Sequence, residues 1–121
     1  MYSIEASDAE RLIKISWSGQ VDSDEMRRCV EEIRVAASKM RPGFRVLADM
    51  TELESMDFAC VPYIGSLMDF CVASQVEHVV RVIPDPHKDI GLNIMSYFHY
   101  SSKTRVTICE NLADAMRRLA E

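Results

Sequence analysis

The side chains able to do chemistry are few and scattered. Asp22, Asp49, Asp57, Asp85 and His87 stand where a strand is expected to give way to a helix. Two or three carboxylates converging from such positions would hold a magnesium ion. The pattern offers these residues simpler tasks. Asp22 and Asp85 fit helix N-caps, and Asp49 closes a strand. Cys60 near a helix start, with His87 or His78, is the raw material of a thiol–imidazole pair, but no local signature accompanies it. Cys29, Cys60, Cys71 and Cys109 form no C-x-x-C pair, so they predict neither a zinc site nor a dithiol. Each sits among apolar neighbours and reads as a reduced, packed thiol. No G-x-G-x-x-G or G-x-x-x-x-G-K-[ST] loop cradles a phosphate. In the run Tyr97, Phe98, His99, Tyr100, helical spacing assigns Phe98 to the core and leaves Tyr97 and Tyr100 to face outward. These residues predict no enzyme, no metal and no cofactor.

The elements that must position them follow from periodicity. Tyr2, Ile4 and Ala6 alternate with polar residues, and Leu12, Ile13, Ile15 and Trp17 follow a polar turn, which predicts an antiparallel hairpin ending at Gly19. Asp22, with Glu25 three residues on, opens a helix carrying Met26, Cys29, Val30, Ile33, Ala36, Ala37 and Met40 on one face. Its other face bears Arg27, Arg28, Glu31, Glu32, Arg34 and Lys39, a solvated surface, and Pro42-Gly43 stops it. Phe44, Val46, Leu47 and Ala48 make a strand ending at Asp49, followed by a polar connection over 50–57. A helix over 58–74 carries Ile64, Leu67, Met68 and Cys71. Residues 76–83 form a strand buried on both faces. Asp85 and Pro86 open a third helix with the stripe Ile90, Ile94, Met95, Phe98. Residues 105–109 are the last strand. Asn111 caps a final helix with Leu112, Ala115, Met116 and Leu119 on one side and Arg117 and Arg118 in its last turns.

The order β-β-α-β-α-β-α-β-α predicts one α/β domain over 1–121. Its sheet is mixed and mainly parallel, with five strands, four helices and an antiparallel first edge. Function in such sheets gathers in the loops where strands end and helices begin: here 19–22, 49–59, 84–88 and 109–111. The chain has 14 Lys and Arg against 19 Asp and Glu, a formal charge of −5, which argues against nucleic acid as a partner. The longest apolar stretch, about 58–68, is broken by Pro62 and Gly65 and falls short of the ~20 residues that cross a bilayer. Residues 1–8 lack the apolar core of a secretory signal, so a cytoplasmic location is expected.

One segment carries a recognisable pattern: Ala48-Asp49-Met50-Thr51-Glu52-Leu53-Glu54-Ser55-Met56-Asp57-Phe58-Ala59. It resembles the central motif of the STAS family, the SpoIIAA-like anti-sigma-factor antagonists. There a strand ends in Asp-Leu-Ser, and Asp-Ser-Ser-Gly opens the next helix. Asp49-Met50-Thr51 matches the first part, Leu53 and Met56 the spaced apolar positions, and Asp57 the acidic residue before the phosphoacceptor. The order of elements matches over essentially the whole chain. The resemblance implies a SpoIIAA-like fold and a non-enzymatic regulatory domain that docks onto a protein partner such as a kinase or sigma-factor regulator.

The departures are chemical. Phe58 and Ala59 stand where the family has two serines, and Cys60 where it has glycine. Ala59, the phosphoacceptor equivalent, offers no hydroxyl. Pro62 moves the expected helix start to Cys60 or Val61. Thr51, Ser55 and Ser66 remain as hydroxyls open to modification. The expected partner surface is Asp49, Thr51, Asp57, Phe58 and Ala59, with Phe58 either an apolar contact or folded back into the core. A carrier or sensor of a small apolar ligand is the alternative. It draws on the apolar helix 61–72, the 8 Met residues and a fold-level likeness to SEC14-like lipid-binding domains. That helix also suits a homodimer contact.

Overall fold

A computed structural model describes residues 1–85, 90–101 and 103–121. Strands β1 (Tyr2–Ser7) and β2 (Leu12–Val21) form the expected hairpin, followed by α1 (Ser23–Ala37), β3 (Arg45–Met56), a 3-10 turn (Phe58–Cys60), α2 (Val61–Ala73), β4 (His78–Val82), α3 (Ile90–His99), β5 (Arg105–Cys109) and α4 (Leu112–Leu119). The sheet order is β1-β2-β3-β4-β5, antiparallel between β1 and β2 and parallel elsewhere.

Alternation along each strand divides the core in two. Ile13, Ile15, Trp17, Val46, Ala48, Met50 and Val79 face α1 and α2 and meet Met26, Cys29, Ile33, Ile64, Met68 and Cys71. Leu12, Leu47, Val80, Val82 and Cys109 face the other way, onto Ala115 and Leu119 of α4. Every residue of β4 is buried: Val79, Val80 and Val82 as their apolar character predicts, and His78 and Arg81 with them. Helix α4 packs over β3, β4 and β5. The same face of β1 and β2 stays polar, with Ser3 and Ser16 hydroxyls 2.6 Å apart and Glu5, Lys14 and Asp49 lining a shallow depression.

Two of the three expected caps form; that of Asp85 falls on residues 86–89, outside the described residues, and α3 is described from Ile90. The Asp22 carboxylate accepts from Glu25 N–H at 2.8 Å, and the Asn111 side chain from Asp114 N–H at 2.8 Å. Pro62 sits in the first turn of α2, where a missing N–H costs nothing, so the helix begins at Val61.

Three expectations are corrected. Gly19 does not end β2. It takes φ +69° at a shift in the β2–β3 register, and the strand runs on to Val21. Residues 50–56 are not a connection. They continue β3, pairing from Ser18↔Glu52 to Val21↔Met56. Sequence polarity misleads there because this end of the strand has one open side.

The third correction concerns α3. Ile94 is 56% and Phe98 77% exposed, and Tyr100 packs on the core, while Tyr97, 83% exposed, faces outward as expected. The inward positions are Leu92 and Met95 with the polar Ser96 and His99. Arg81, buried in β4, donates to Ser96 Oγ at 2.7 Å, and His99 Nδ1 lies 2.8 Å from Asp69 Oδ1 of α2. Polar partners have displaced apolar residues from the inner face. Ile90 lies at the first position of this helix; Pro86 and His87 fall outside the described residues. In α4, Leu112 and Met116 are likewise more exposed than their stripe predicts, because the helix reaches the sheet through Ala115 and Leu119.

His78 anchors the opposite end of β4. It is buried, with Nε2 2.7 Å from Thr107 Oγ1 of β5. Burial, then the Arg105 guanidinium, pushes its pKa below the ordinary 6.5. The folded imidazole therefore stays neutral while the unfolded one takes a proton, so stability is lost as pH falls from about 6.5 through the folded value. Urea midpoints measured between pH 7.5 and 5 should decline for the native chain and decline less for His78→Gln. Equal slopes would show that His78 contributes no such linkage.

Candidate functional site

Strand β3 is longer than its neighbour β4, and this difference creates the main concavity. The β3–β4 pairing ends at Asp49↔Val82, while β3 runs on to Met56 beside β2. Beyond the end of β4 lies a groove of about 700 Å³. One wall is residues 50–51 and 53–58 with Val61 and Ile64. The other is Ile83, Pro84 and Asp85 with Gly91, Leu92, Ile94 and Met95 of α3. The lining is apolar apart from hydroxyls and three carboxylates, Glu54, Asp57 and Asp85. A smaller cavity of about 50 Å³ lies beneath it and shares Met50, Met56, Ile64 and Leu92 with the groove.

The expected partner residues divide between two places. Phe58 opens the 3-10 turn at the groove mouth and is 90% exposed, so it is not folded back into the core. Asp57 and Ala59 flank it, both exposed. The Asp57 backbone is pinned by its N–H to Val21 O at 3.1 Å and by its carbonyl, which accepts from Cys60 N–H at 2.9 Å. Its carboxylate makes no cap. Thr51 lies at the groove edge, but Asp49 opens onto the depression on the α4 side of the sheet. The two touch through the Asp49 carboxylate, which accepts from Thr51 N–H at 3.0 Å and Oγ1–H at 2.5 Å. The 49–59 segment is therefore a strand end and a turn, with its chemistry on two faces.

Of the aspartates expected in loops, Asp57 and Asp85 both line the groove, whereas Asp22 and Asp49 are held elsewhere. Asp22 is committed to its cap and Asp49 to Thr51. Among the described residues no group of three or more His, Cys, Asp and Glu is placed to hold a metal. Cys60 and His78 are not brought together: Cys60 starts α2 near the C-terminal end of β3, and His78 begins β4. The Cys60 thiol donates to Val21 O at 3.7 Å. Burial, then Asp57 and Asp22, pushes its pKa up, the reverse of activation by a helix terminus. Burial also pushes Cys29 and Cys71 up to about 12, and Cys109 is raised by burial and by Asp114.

The α3 wall, Leu92, Ile94 and Met95, escaped the sequence reading of the site. The available signal was that residues 90–98 carry apolar groups on more than one side, more than a single core face can absorb.

The thiols give a direct chemical prediction. All four cysteines are free and buried, with raised pKa values, so at pH 7.5 the folded chain should react with 5,5′-dithiobis(2-nitrobenzoate) only on the timescale of unfolding. Denaturation should release four equivalents. Prompt labelling of Cys60 in the folded state would contradict this picture.

Comparison with known proteins concerns the fold. No family model and no curated protein matches the sequence. Among solved structures, a DUF3478-family protein with a SpoIIAA-like fold from Shewanella loihica PV-4 superposes with TM-score 0.72 at 15% identity, covering 98% of this chain and 92% of that one. The anti-sigma factor antagonist SpoIIAA in its unphosphorylated form gives 0.70 at 14%, covering 99% and 98%. An anti-sigma factor antagonist from Mycobacterium paratuberculosis gives 0.65 at 14%, covering 100% and 96%. The chain, a mixed five-stranded sheet with four helices, has the SpoIIAA-like fold.

Proposed function

We propose that this chain is a non-enzymatic regulatory domain that binds a protein partner through the surface around the groove. Thr51, Asp57, Phe58 and Ala59 form the contact, and Asp49 positions Thr51. The observation that carries the reading is Phe58: a phenyl ring 90% exposed at the mouth of an apolar groove. An aromatic side chain so placed contributes nothing to the core, and aromatic anchors are what protein interfaces select. The fold supports the class of function, since solved proteins of this shape are named anti-sigma factor antagonists. The net charge of −5 sets nucleic acid aside. No helix among the described residues is long and apolar enough to cross a membrane.

The interaction is not switched by phosphate at the turn. SpoIIAA has been solved both phosphorylated and unphosphorylated. Here Phe58, Ala59 and Cys60 carry no acceptor oxygen. A phosphate at this helix start would also meet the Asp57 and Glu54 carboxylates that line the same groove. The surface is therefore constitutively available, and control rests with the partner or with abundance.

A second reading, a site for a small apolar ligand, is favoured by one observation. A volume of about 700 Å³ with methionine and aliphatic walls suits a molecule of drug size. Native mass spectrometry of protein purified from its own host decides between a bare chain and one carrying a lipid-sized mass.

The test of the first reading is site-specific photocrosslinking in the native host. A benzophenone amino acid at position 58 should give a discrete protein adduct, while the same group at Glu31, on the solvent face of α1, should not. Phe58→Asp should abolish recovery of that partner without changing the unfolding midpoint. Equal adducts from both positions would remove the site assignment. Phosphopeptide mapping after incubation with a partner-switching serine kinase should find no phosphate on residues 57–60. Stoichiometric phosphate on Thr51 or Ser55 that abolishes binding would show a displaced switch and contradict constitutive docking.

A further inference from the structure

The groove has a property that its apolar lining does not convey: one wall is a strand edge that, among the described residues, no strand pairs with. Up to Asp49, β3 is flanked by β2 on one side and β4 on the other. From 50 to 56 β2 pairs with one side, and among the described residues no strand pairs with the other edge. The Thr51 N–H is taken by the Asp49 carboxylate. An open edge is a template for another chain, and proteins usually blunt such edges with charge, bulges or cover. Here the register with β2 shifts twice along the stretch, and charge is present and of one sign: Glu52 and Glu54 on the strand, Asp57 just beyond it, all exposed.

That sign selects the occupant. A second copy pairing edge to edge would set carboxylate against carboxylate, which is destabilising in cross-strand pairs. Anionic lipid is repelled for the same reason. A small ligand that filled the groove would leave Tyr97 and Phe98 uncovered. These two stand three and four residues beyond Ile94 and continue its exposed side of α3. An extended segment lying along β3 can use the strand edge, the carboxylates and the apolar walls together. Its backbone pairs with the edge, alternate side chains meet the apolar walls of the groove, and the intervening ones meet Glu54 and Asp57 at its lining and Glu52 beside it.

Resting on the reading of this groove as a protein-docking site, we infer that the partner binds by strand addition to residues 50–56 of β3, through an extended segment alternating apolar residues with Lys or Arg.

The test is selection from a phage-displayed library of random peptides of about nine residues, a common strand length. The whole chain is the bait, with counter-selection on Glu54→Lys/Asp57→Lys, two exposed changes that leave the core intact. Enriched peptides should alternate apolar and basic residues. By fluorescence anisotropy, the best of them should bind the double variant at least about tenfold more weakly, with affinity falling as salt rises. Methylating alternate backbone nitrogens on one edge of the peptide should abolish binding, and methylating the other edge should not. Enrichment of peptides with three- and four-residue apolar spacing, tolerance of methylation on both edges, binding indifferent to the carboxylates, or no enrichment would each overturn strand addition. Stronger binding to phosphatidylglycerol vesicles, or self-association that the peptide displaces, would do the same. A partner crosslinked from position 58 while the selected peptides are helical leaves the docking site standing and removes only the strand. Loss of both removes the site itself.

Discussion

The fold turns on an inequality of strand lengths. β3 has 12 residues and β4 has 5, and both start at the same end of the sheet, with Arg45 opposite His78. The two strands run parallel and start in register, so the surplus of β3 projects at its C-terminal end. β2 follows it there by means of two register shifts and the left-handed Gly19, and β4 does not. Beyond β4, Ile83, Pro84, Asp85 and helix α3 stand opposite β3 instead. The space between the projecting strand and that helix is the groove, and the 3-10 turn bearing Phe58 sits at its mouth.

Helix α3 closes the other wall with polar ties. Arg81 is nearly inaccessible on the helix-covered face of the sheet and bonds Ser96, while His99 reaches Asp69 across α2. His99 can lie so close because position 65 is glycine. A Cβ there would stand 3.0 Å from His99 Cε1. A buried guanidinium is costly to desolvate and contributes little net stability, but it has strong geometric preferences. The outcome is a helix whose rotation is set by hydrogen bonds and whose Ile94, Tyr97 and Phe98 therefore turn outward. The same ties expose the apolar residues that a partner would cover.

Much of the frame was legible in the sequence because the deciding signals are local. Asp22 and Asn111 announce their helices through short side chains that satisfy orphan N–H groups, and Val79, Val80, Val82 and Ile83 announce burial on both faces. The segment 50–56 was misread because its exposed polar residues look the same in a loop and on a one-sided strand. Only the position of β4, fixed by a pairing across more than thirty residues of sequence, distinguishes them. The α3 stripe was misread for a related reason. Hydrophobic periodicity assumes that apolar residues win the inner face, and Ser96 and His99 win it through partners on β4 and α2 that no spacing within the helix reveals. Asp49 and Phe58 stood in one motif, yet the pleat sends the first to the α4 face and the turn sends the second to the groove. The likeness to SpoIIAA over the whole chain at 14% identity fits a fold held by such pairings more than by particular side chains.

The central claim is that the projecting end of β3 is the working edge of the molecule. Amide hydrogen exchange read by mass spectrometry tests it most directly. The protein is measured alone and then saturated with the partner recovered from position 58. The account predicts that protection appears over residues 50–56 and along the outward face of α3, with β1, α1 and α4 unchanged. Protection confined to α1 or α4, with residues 50–56 exchanging as in the free chain, would contradict it.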